Sequence, residues 1–265
     1  MTATQTLLDA SEPSPFEIVN AGFHSKLVLV CDHASNRLPT RLGNLGLSAI
    51  DLASHIGWDS GAAEVARKLS ARLDVPLVIS TYSRLVIDCN RWPIAADSIP
   101  LTGGGIAIPG NAGLSDSESF DRRLALFEPY QAEVAEQLND AAANCILLSI
   151  HSFTPTLFGV DRPWSIGVCY HNDLELARCW RDVLRVSIGR YCTDPETELV
   201  VNNEPYDIEA GCDYTIPVQG ESCDIPSIML EIRQDKTQDE AGVRLWSDII
   251  ADAWQSIQSE DSSQV

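Results

Sequence analysis

The stretch that decides the fold is Cys145-Ile-Leu-Leu-Ser-Ile150, which His151 follows directly. An apolar run of this length without an amphipathic break is typical of a strand that is buried on both faces. The same pattern occurs twice more, at Lys26–Cys31 shortly before His33 and at Ser227–Ile232 around Glu231. Open α/β sheets collect their functional groups at the carboxyl ends of such strands. The sequence therefore predicts a sheet whose carboxyl edge presents two imidazoles and a carboxylate.

Segments with helical periodicity separate these runs. They are Ser60–Leu73, Ser117–Ala143, Leu174–Arg190 and Asp239–Ile257. Ser60 is of a type that caps helix N-termini, and Pro129 is expected to kink or interrupt the second helix. Further strand-like runs lie at Pro76–Tyr82, Arg84–Asp88 and Ser165–Tyr170. Strands that alternate with helices predict a three-layer α/β/α fold around a mostly parallel sheet.

The composition is that of a folded protein, because 45% of the 265 residues are hydrophobic and only 21% are charged. No internal repeat or Pro/Gly/Ser-rich linker divides the chain. We therefore expect one domain over residues 16–257, with flexible tails at 1–15 and 258–265. The segments Leu101–Gly113 and Glu196–Asp213 are rich in turn residues and are interpreted as loops beside the site.

The charge balance is strongly acidic, with 18 Lys and Arg against 38 Asp and Glu and a formal net charge of −20. This excess argues against nucleic acid or an anionic membrane as a partner. No apolar stretch approaches the roughly 20 residues that span a bilayer, and the first residues do not show the basic and then apolar pattern expected of a signal peptide. The eight cysteines include no C-x-x-C pair and mostly lie in apolar runs. These features predict a cytoplasmic protein with reduced thiols.

The residue types at the strand ends are those of metal-dependent hydrolysis. A catalytic zinc ion takes three protein ligands and leaves one position for water, whose proton a nearby base accepts. His33 and His151 are the first two candidate ligands, and Glu231 is the candidate base. The third ligand is expected between residues 55 and 61, where Asp59 is favoured and His55 is the alternative.

Four blocks of sequence resemble the N-formylglutamate amidohydrolase family. They are His33-Ala-Ser-Asn-Arg-Leu-Pro39, His55-Ile-Gly-Trp-Asp59-Ser-Gly-Ala62, Ser83-Arg-Leu-Val-Ile-Asp-Cys-Asn-Arg91 and His151-Ser-Phe-Thr-Pro155. The resemblance extends from about Val28 to Asp235. That family is similar in fold to zinc carboxypeptidases and aspartoacylases, which implies a mixed central sheet.

The resemblance also implies roles for individual residues. In the related enzymes an Asn-Arg pair binds a substrate carboxylate, and a glutamate at a late strand end is the general base. Asn90-Arg91 and Glu231 match these features. Arg84 and Arg233 are expected to bind substrate as well. The zinc motif H-x-x-E of the relatives is not kept, because Asn36 stands at its last position. The expected ligands are therefore His33, Asp59 and His151.

The resulting hypothesis is a hydrolase that uses zinc or another divalent transition metal. Its substrate would be a small acidic N-acyl amino acid such as N-formyl-L-glutamate, whose amide bond it would cleave. Two alternatives stay open. One is a zinc amidase or exopeptidase that acts on a peptide or a cell-wall fragment. The other is a catalytically silent protein that binds an acidic metabolite.

Overall fold

The computed structural model describes residues 6–22 and 24–262. Its strands are β1 Phe16–Val19, β2 Leu27–Cys31, β3 Leu77–Ser80, β4 Thr102–Gly103, β5 Ile106–Ala107, β6 Ile146–Phe153, β7 Thr156–Leu157, β8 Val160–Asp161, β9 Ile166–Cys169, β10 Val200–Asn202 and β11 Ser227–Arg233. Its α-helices are α1 Ala49–Ala53, α2 Ala62–Leu73, α3 Asp116–Arg122, α4 Glu128–Asp140, α5 Leu174–Tyr191 and α6 Glu240–Ser262.

Within the described residues, seven strands form the central sheet, in the order β1-β3-β2-β6-β11-β9-β10. Strand β2 pairs in parallel with β3 and β6, β6 pairs in parallel with β11, and β9 pairs in parallel with β10. Strand β1 is antiparallel to β3, and β9 is antiparallel to β11. The prediction of an α/β fold with a mostly parallel, mixed sheet is confirmed.

Helices cover both faces of the sheet, because each strand sends alternate side chains to opposite sides. Ile228, Leu230 and Ile232 of β11 belong to the hydrophobic core under α2, α5 and α6. Met229 of the same strand belongs to a second core that includes buried residues of α4. By this alternation, Glu231 shares the face of Met229, and the candidate site lies on the α4 side of the sheet.

The prediction of a strand at Arg84–Asp88 is wrong. This segment forms turns, although Leu85, Val86 and Ile87 are buried. Its backbone carbonyls accept hydrogen bonds from side chains instead of from a neighbouring strand. Asn111 donates to the carbonyl of Leu85 at 2.8 Å, and Arg122 donates to the carbonyl of Val86 at 3.0 Å. An apolar run can therefore be buried in a loop when side chains satisfy its polar backbone.

The predicted helix Ser117–Ala143 is interrupted near Pro129. Helix α3 is followed by a π-helical turn at Arg123–Phe127, and α4 then begins one residue before the proline. The Glu128 N–H bonds to the carbonyl of Arg123, five residues earlier. Proline supplies no N–H for the regular helical bond, and the wider turn lies where that bond is lost.

Two predicted helix and tail boundaries differ from the structure. The cap of α2 is Gly61, with a φ of +82°, rather than Ser60. A Cβ at position 61 would collide with Thr237, so the residue at this turn must lack a side chain. The C-terminal helix α6 continues to residue 262, beyond the end predicted for the domain.

The described part of the predicted N-terminal tail, residues 6–15, packs against the domain. Leu7 is buried in a cluster with Tyr82 and Phe127. Glu12 accepts hydrogen bonds from the backbone and side chain of Thr40, at 2.8 and 3.1 Å. Apolar burial and these hydrogen bonds fix a segment that composition alone assigns to a flexible tail. Residues 1–5 lie outside the described residues.

The helices that the structure describes include none that is both long and apolar enough to cross a bilayer.

Candidate metal and catalytic site

Three adjacent central strands bring the predicted chemistry together. Strand β2 ends two residues before His33, β6 contains His151, and β11 contains Glu231. His151 and Glu231 are paired residues in the parallel register of β6 and β11. All three side chains are buried, with 4%, 2% and 4% of their residue surfaces exposed for His33, His151 and Glu231. The strand order therefore gathers residues that lie far apart in the sequence.

Asp59 joins the two histidines from the loop before α2. Its backbone N–H donates to the carbonyl of His33 at 2.9 Å, which fixes the loop against the end of β2. Its Oδ2 lies 2.8 Å from Nδ1 of His151 and 3.3 Å from Nδ1 of His33. One ligand atom from each of these three residues lies within 4.8 Å of the other two. Two imidazoles and one carboxylate at this spacing are a donor set for a divalent transition metal.

The far nitrogen of each imidazole is held by a further carboxylate. His33 Nε2 lies 2.7 Å from Asp88 Oδ1, and His151 Nε2 lies 3.0 Å from Asp32 Oδ2. Each Nε2 can donate to the carboxylate behind it, and each Nδ1, which faces Asp59, would then be the ligand atom for a metal. A carboxylate behind a metal-binding histidine fixes the ring and increases its basicity. The residues therefore fit a metal ion at the two Nδ1 atoms and Asp59.

Asp32 is itself fully satisfied in the core. Its Oδ1 accepts from Tyr130 at 2.9 Å and from Thr215 at 2.8 Å. Its Oδ2 accepts from Ser149 at 3.0 Å as well as from His151. A buried carboxylate with four donors is rigidly placed. The orientation of His151 is thus fixed from helix α4, strand β6 and the segment after residue 213.

The charges of the cluster determine its ionisation. Burial opposes ionisation of Asp59, but the imidazoles of His33 and His151 outweigh it and hold the pKa of this carboxyl well below its usual range. Burial likewise opposes protonation of His151, while hydrogen bonds to Asp32 and Asp59 hold its pKa well above the usual value. Asp59 is therefore an anion that can serve as a ligand.

The pKa of Glu231 is shifted in the opposite direction to that of Asp59. Burial raises its pKa to about 7, although the neighbouring His151 acts to lower it. Its Oε2 is buried and has no hydrogen-bond partner among the described residues. An unpartnered carboxyl group is costly inside a protein, and the ion pair with Arg233 or Arg91 that would explain it structurally is not formed among the described side chains. A carboxyl group with a pKa near neutrality beside a group of candidate metal ligands suits proton transfer.

Arg84 lies beside the candidate metal ligands His33 and Asp59. Its Nη2 donates to Asp88 at 2.6 Å, and its Nη1 lies 3.3 Å from His33 Nδ1 and 3.8 Å from Asp59 Oδ1. The guanidinium group is therefore next to the position where a substrate oxygen would meet the metal ligands. Asp88 orients both Arg84 and His33.

Asn90 and Arg91 also line the cavity. Asn90 Oδ1 accepts from the backbone N–H of Thr215 at 2.9 Å, which leaves its NH2 group as the donor for a ligand. Arg91 forms an ion pair with Asp213, and its Nε lies 3.3 Å from Asp97. These contacts fix the guanidinium group at the wall of the cavity.

The structure does not bring the other predicted candidates into the cluster. Arg233, predicted to bind substrate, donates to Asp235 at 2.7 Å and to the carbonyl of Pro163 at 3.0 Å, and it is absent from the cavity wall. Its side chain is used to fix neighbouring backbone. His55, the alternative third ligand, lines the cavity but lies outside the cluster of His33, Asp59 and His151.

The cluster lies at the base of a cavity of about 330 Å³, which is at the small end of ligand pockets. Three segments lie beside the cavity or line it. The hairpin β4–β5 packs on His55 through Gly104, the hairpin β7–β8 approaches Gly105 through Phe158, and residues 203–209 contribute Tyr206 to the wall. The loop interpretation of Leu101–Gly113 thus agrees with its position near the site, although the segment includes a short hairpin.

Gly167 explains how residues 203–209 reach the sheet. It is paired with Glu231 across β9 and β11, and a Cβ at this position would collide with the carbonyl of Glu204. The absence of a side chain thus allows the backbone before Tyr206 to lie directly beside the candidate base.

Sequence reasoning missed several residues of the site. Asp32 could have been predicted from the sequence, because it adjoins His33 directly after an apolar run. No sequence pattern points to Tyr130 and Thr215, because their contact with Asp32 depends on tertiary packing.

An α/β/α fold with a His-Asp-His cluster and a buried glutamate at its central strand ends defines a candidate metallohydrolase. The family model for N-formylglutamate amidohydrolase matches residues 25–237. The chain therefore belongs to the N-formylglutamate amidohydrolase family, whose members hydrolyse amide bonds.

Solved structures share this fold. The gene product Atu2144 from Agrobacterium tumefaciens shares 31% identity, with a TM-score of 0.82 over 95% of this chain and 99% of the other. The N-formylglutamate amidohydrolase from Ralstonia eutropha JMP134 shares 17% identity and the same fold, with a TM-score of 0.66 over 93% of this chain and 98% of the other. A search of curated proteins found no match.

Proposed function

We propose that the protein is a metal-dependent amidohydrolase of small N-acyl amino acids, of which N-formyl-L-glutamate is the simplest candidate. The observation that carries the proposal is the buried, unpartnered carboxyl group of Glu231 beside the His33, Asp59 and His151 cluster. Membership of the amidohydrolase family supports the reaction class. The small volume of the cavity favours an amino acid derivative over a polymer.

His33 and His151 would hold the metal through Nδ1, and Asp59 through a carboxylate oxygen. When bound, zinc or a similar divalent ion supplies Lewis acidity and brings the pKa of a water molecule to about 7. A set of two imidazoles and a carboxylate also suits manganese, cobalt or iron. Asp88 and Asp32 would accept from Nε2 of the two rings and so favour the tautomer that this binding requires.

Glu231 acts as the general base. It takes a proton from the attacking water and delivers it to the amine that leaves when the amide bond breaks. Its pKa of about 7 suits a group that must both accept and donate a proton near neutral pH. Arg84, placed against His33 and Asp59, donates to the acyl oxygen as negative charge develops there.

Asn90 and Arg91 hold a carboxylate of the substrate. Arg91 contacts Asp213 through Nη1 and Asp97 through Nε, so Nη2 is the charged donor that it offers to the substrate, and the NH2 group of Asn90 adds a second contact. A fixed carboxylate places the scissile amide near Glu231 and the metal ligands, which removes much of the entropic cost of reaction. The acidic surface of the protein makes such a local cationic site necessary for an anionic substrate.

A cytoplasmic location is part of the proposal. Cys31, Cys89, Cys145 and Cys169 are buried thiols outside any disulfide, which agrees with a reducing compartment.

The experiment that tests the proposal is metal analysis of the purified protein combined with a screen of N-acyl amino acids. We expect about one divalent ion per chain, turnover of N-formyl amino acids, and loss of turnover on chelation that the metal restores. Turnover of peptides or cell-wall fragments alone would favour the amidase alternative. Stoichiometric metal without turnover of any substrate would favour the silent binding protein.

A further inference from the structure

Arg162 contacts Tyr206, a residue of the cavity wall, and no carboxylate neutralises the charge of Arg162 in the described structure. Arg84 is paired with Asp88, Arg91 with Asp213, and Arg233 with Asp235. Among the side chains that the structure describes, no carboxylate lies within 4.0 Å of the Arg162 guanidinium group. Even the adjoining Asp161 is used elsewhere, because Thr156 donates to it at 3.3 Å.

The backbone places Arg162 beside the cavity. It follows the hairpin β7–β8, and its N–H donates to the carbonyl of Pro155 at 2.8 Å, next to the cavity residue Thr154. From the other side, Arg233 donates to the carbonyls of Arg162 and Pro163, at 3.3 and 3.0 Å. The position of Arg162 is thus fixed by hydrogen bonds on both sides.

Its side chain is directed toward the cavity wall. Nη1 of Arg162 lies 3.1 Å from the hydroxyl oxygen of Tyr206, and the guanidinium carbon lies 5.0 Å from the centre of that ring. Tyr206 lines the cavity. His55 lies on the same wall, where burial and then the charge of Arg162 lower its pKa.

We propose that Arg162 binds the second carboxylate of a dicarboxylic N-acyl amino acid, while Asn90 and Arg91 bind the first. This inference rests on the proposed function and deepens it, because it assigns the specificity for an acidic side chain to one residue. A guanidinium group without an acidic partner is free to make a two-pronged contact with a carboxylate. A substrate with a single carboxylate leaves this group in its contact with Tyr206.

The test compares three substrates: N-formyl-L-glutamate and the two monoacids in which either its α- or its γ-carboxylate is an amide. In the Arg162→Met variant we expect kcat/KM for the diacid to fall about 10- to 100-fold, the range for loss of a charge-assisted pair of hydrogen bonds. One monoacid, the one that lacks the carboxylate bound by Arg162, should be affected less than about twofold. For the diacid, kcat/KM of Arg162→Lys should lie between the values of wild type and Arg162→Met, because an ammonium group keeps the charge but cannot reproduce the planar contact.

Arg178→Met is the matched control, because this exposed helix residue is paired with Glu175 and is remote from the cavity wall. Equal loss on all three substrates, or no loss on the diacid, would overturn the assignment. A drop in melting temperature without discrimination between substrates would instead show that Arg162 only supports Tyr206.

Binding measurements keep this test separate from the proposed function. Calorimetry of the metal-loaded protein with glutarate and with its monoamide needs no turnover. If wild type hydrolyses no acyl amino acid, the proposed function fails. A preference for glutarate that disappears in Arg162→Met still supports the dicarboxylate site, and equal affinities in wild type and variant refute it.

Discussion

Glu231 and His151 are direct partners in the parallel pairing of β11 with β6. Adjacent residues in one register point to the same face of a sheet, so the backbone hydrogen bonds themselves set the carboxyl group beside the imidazole. A slip of one residue would send Glu231 into the opposite core. The position of the candidate base is therefore determined by the most buried part of the fold.

The first prediction concerns Glu231→Gln. We expect turnover to fall by about 10²- to 10⁴-fold, because the amide keeps the shape but cannot take a proton. Metal content and melting temperature should stay close to those of wild type. The same three measurements on Glu64→Gln, an exposed position, provide the control. Near-normal turnover with bound metal would remove Glu231 from the mechanism.

The second prediction concerns the metal ligands. We expect His33→Ala and His151→Ala each to abolish bound metal while the chain stays folded, because the large core does not depend on the ion. Asp59→Asn should weaken metal binding strongly, and His55→Gln should weaken it less. Metal titration and circular dichroism check these expectations. The reverse order for Asp59 and His55 would mean that the third ligand is His55.

The third prediction concerns Asp32, which holds His151 from behind. We expect Asp32→Asn to lower metal affinity about 10- to 100-fold, the range for loss of a carboxylate behind a ligand histidine. Tyr130→Phe removes only one of the donors to Asp32 and should have a smaller effect. Competition with a chelator of known affinity measures both. Equal affinity in wild type and Asp32→Asn would show that the carboxylate serves the core alone.

The fourth prediction separates Arg91 from Arg233. Arg91→Lys should raise KM at least about tenfold, because a single ammonium group cannot contact Asp213 and Asp97 and also reach the substrate carboxylate as the branched guanidinium group can. Arg233→Lys should raise KM less than Arg91→Lys does, because that side chain contacts Asp235 and the carbonyls of Arg162 and Pro163 and does not line the cavity. Steady-state kinetics on N-formyl-L-glutamate provide the comparison. Fully esterified or amidated substrates turning over as fast as free acids would contradict carboxylate binding by Arg91.

The sequence predicts the sheet and much of the cluster because both depend on local patterns. His33, His151 and Glu231 follow or interrupt apolar runs, and parallel strands bring such positions to one edge. Arg84–Asp88 is an apolar run too, yet its backbone is satisfied by Asn111 and Arg122, which are distant in sequence. Arg233 continues a strand, yet its side chain donates to the carbonyl of Pro163, 70 residues earlier, as well as to the nearby Asp235. Contacts between distant side chains decide these cases, and periodicity contains no information about them.

The three segments beside the cavity have a practical consequence for protein engineering. The candidate ligands and base belong to the central sheet, the residues that follow its strands and the loop before α2, whereas residues 203–209 supply other parts of the cavity wall and the hairpins β4–β5 and β7–β8 lie next to it. Libraries confined to these segments would vary acyl-group and side-chain preference while the hydrolytic chemistry stays intact. One position restricts such libraries: residue 167 must remain glycine, since any larger residue there displaces the third segment from the sheet.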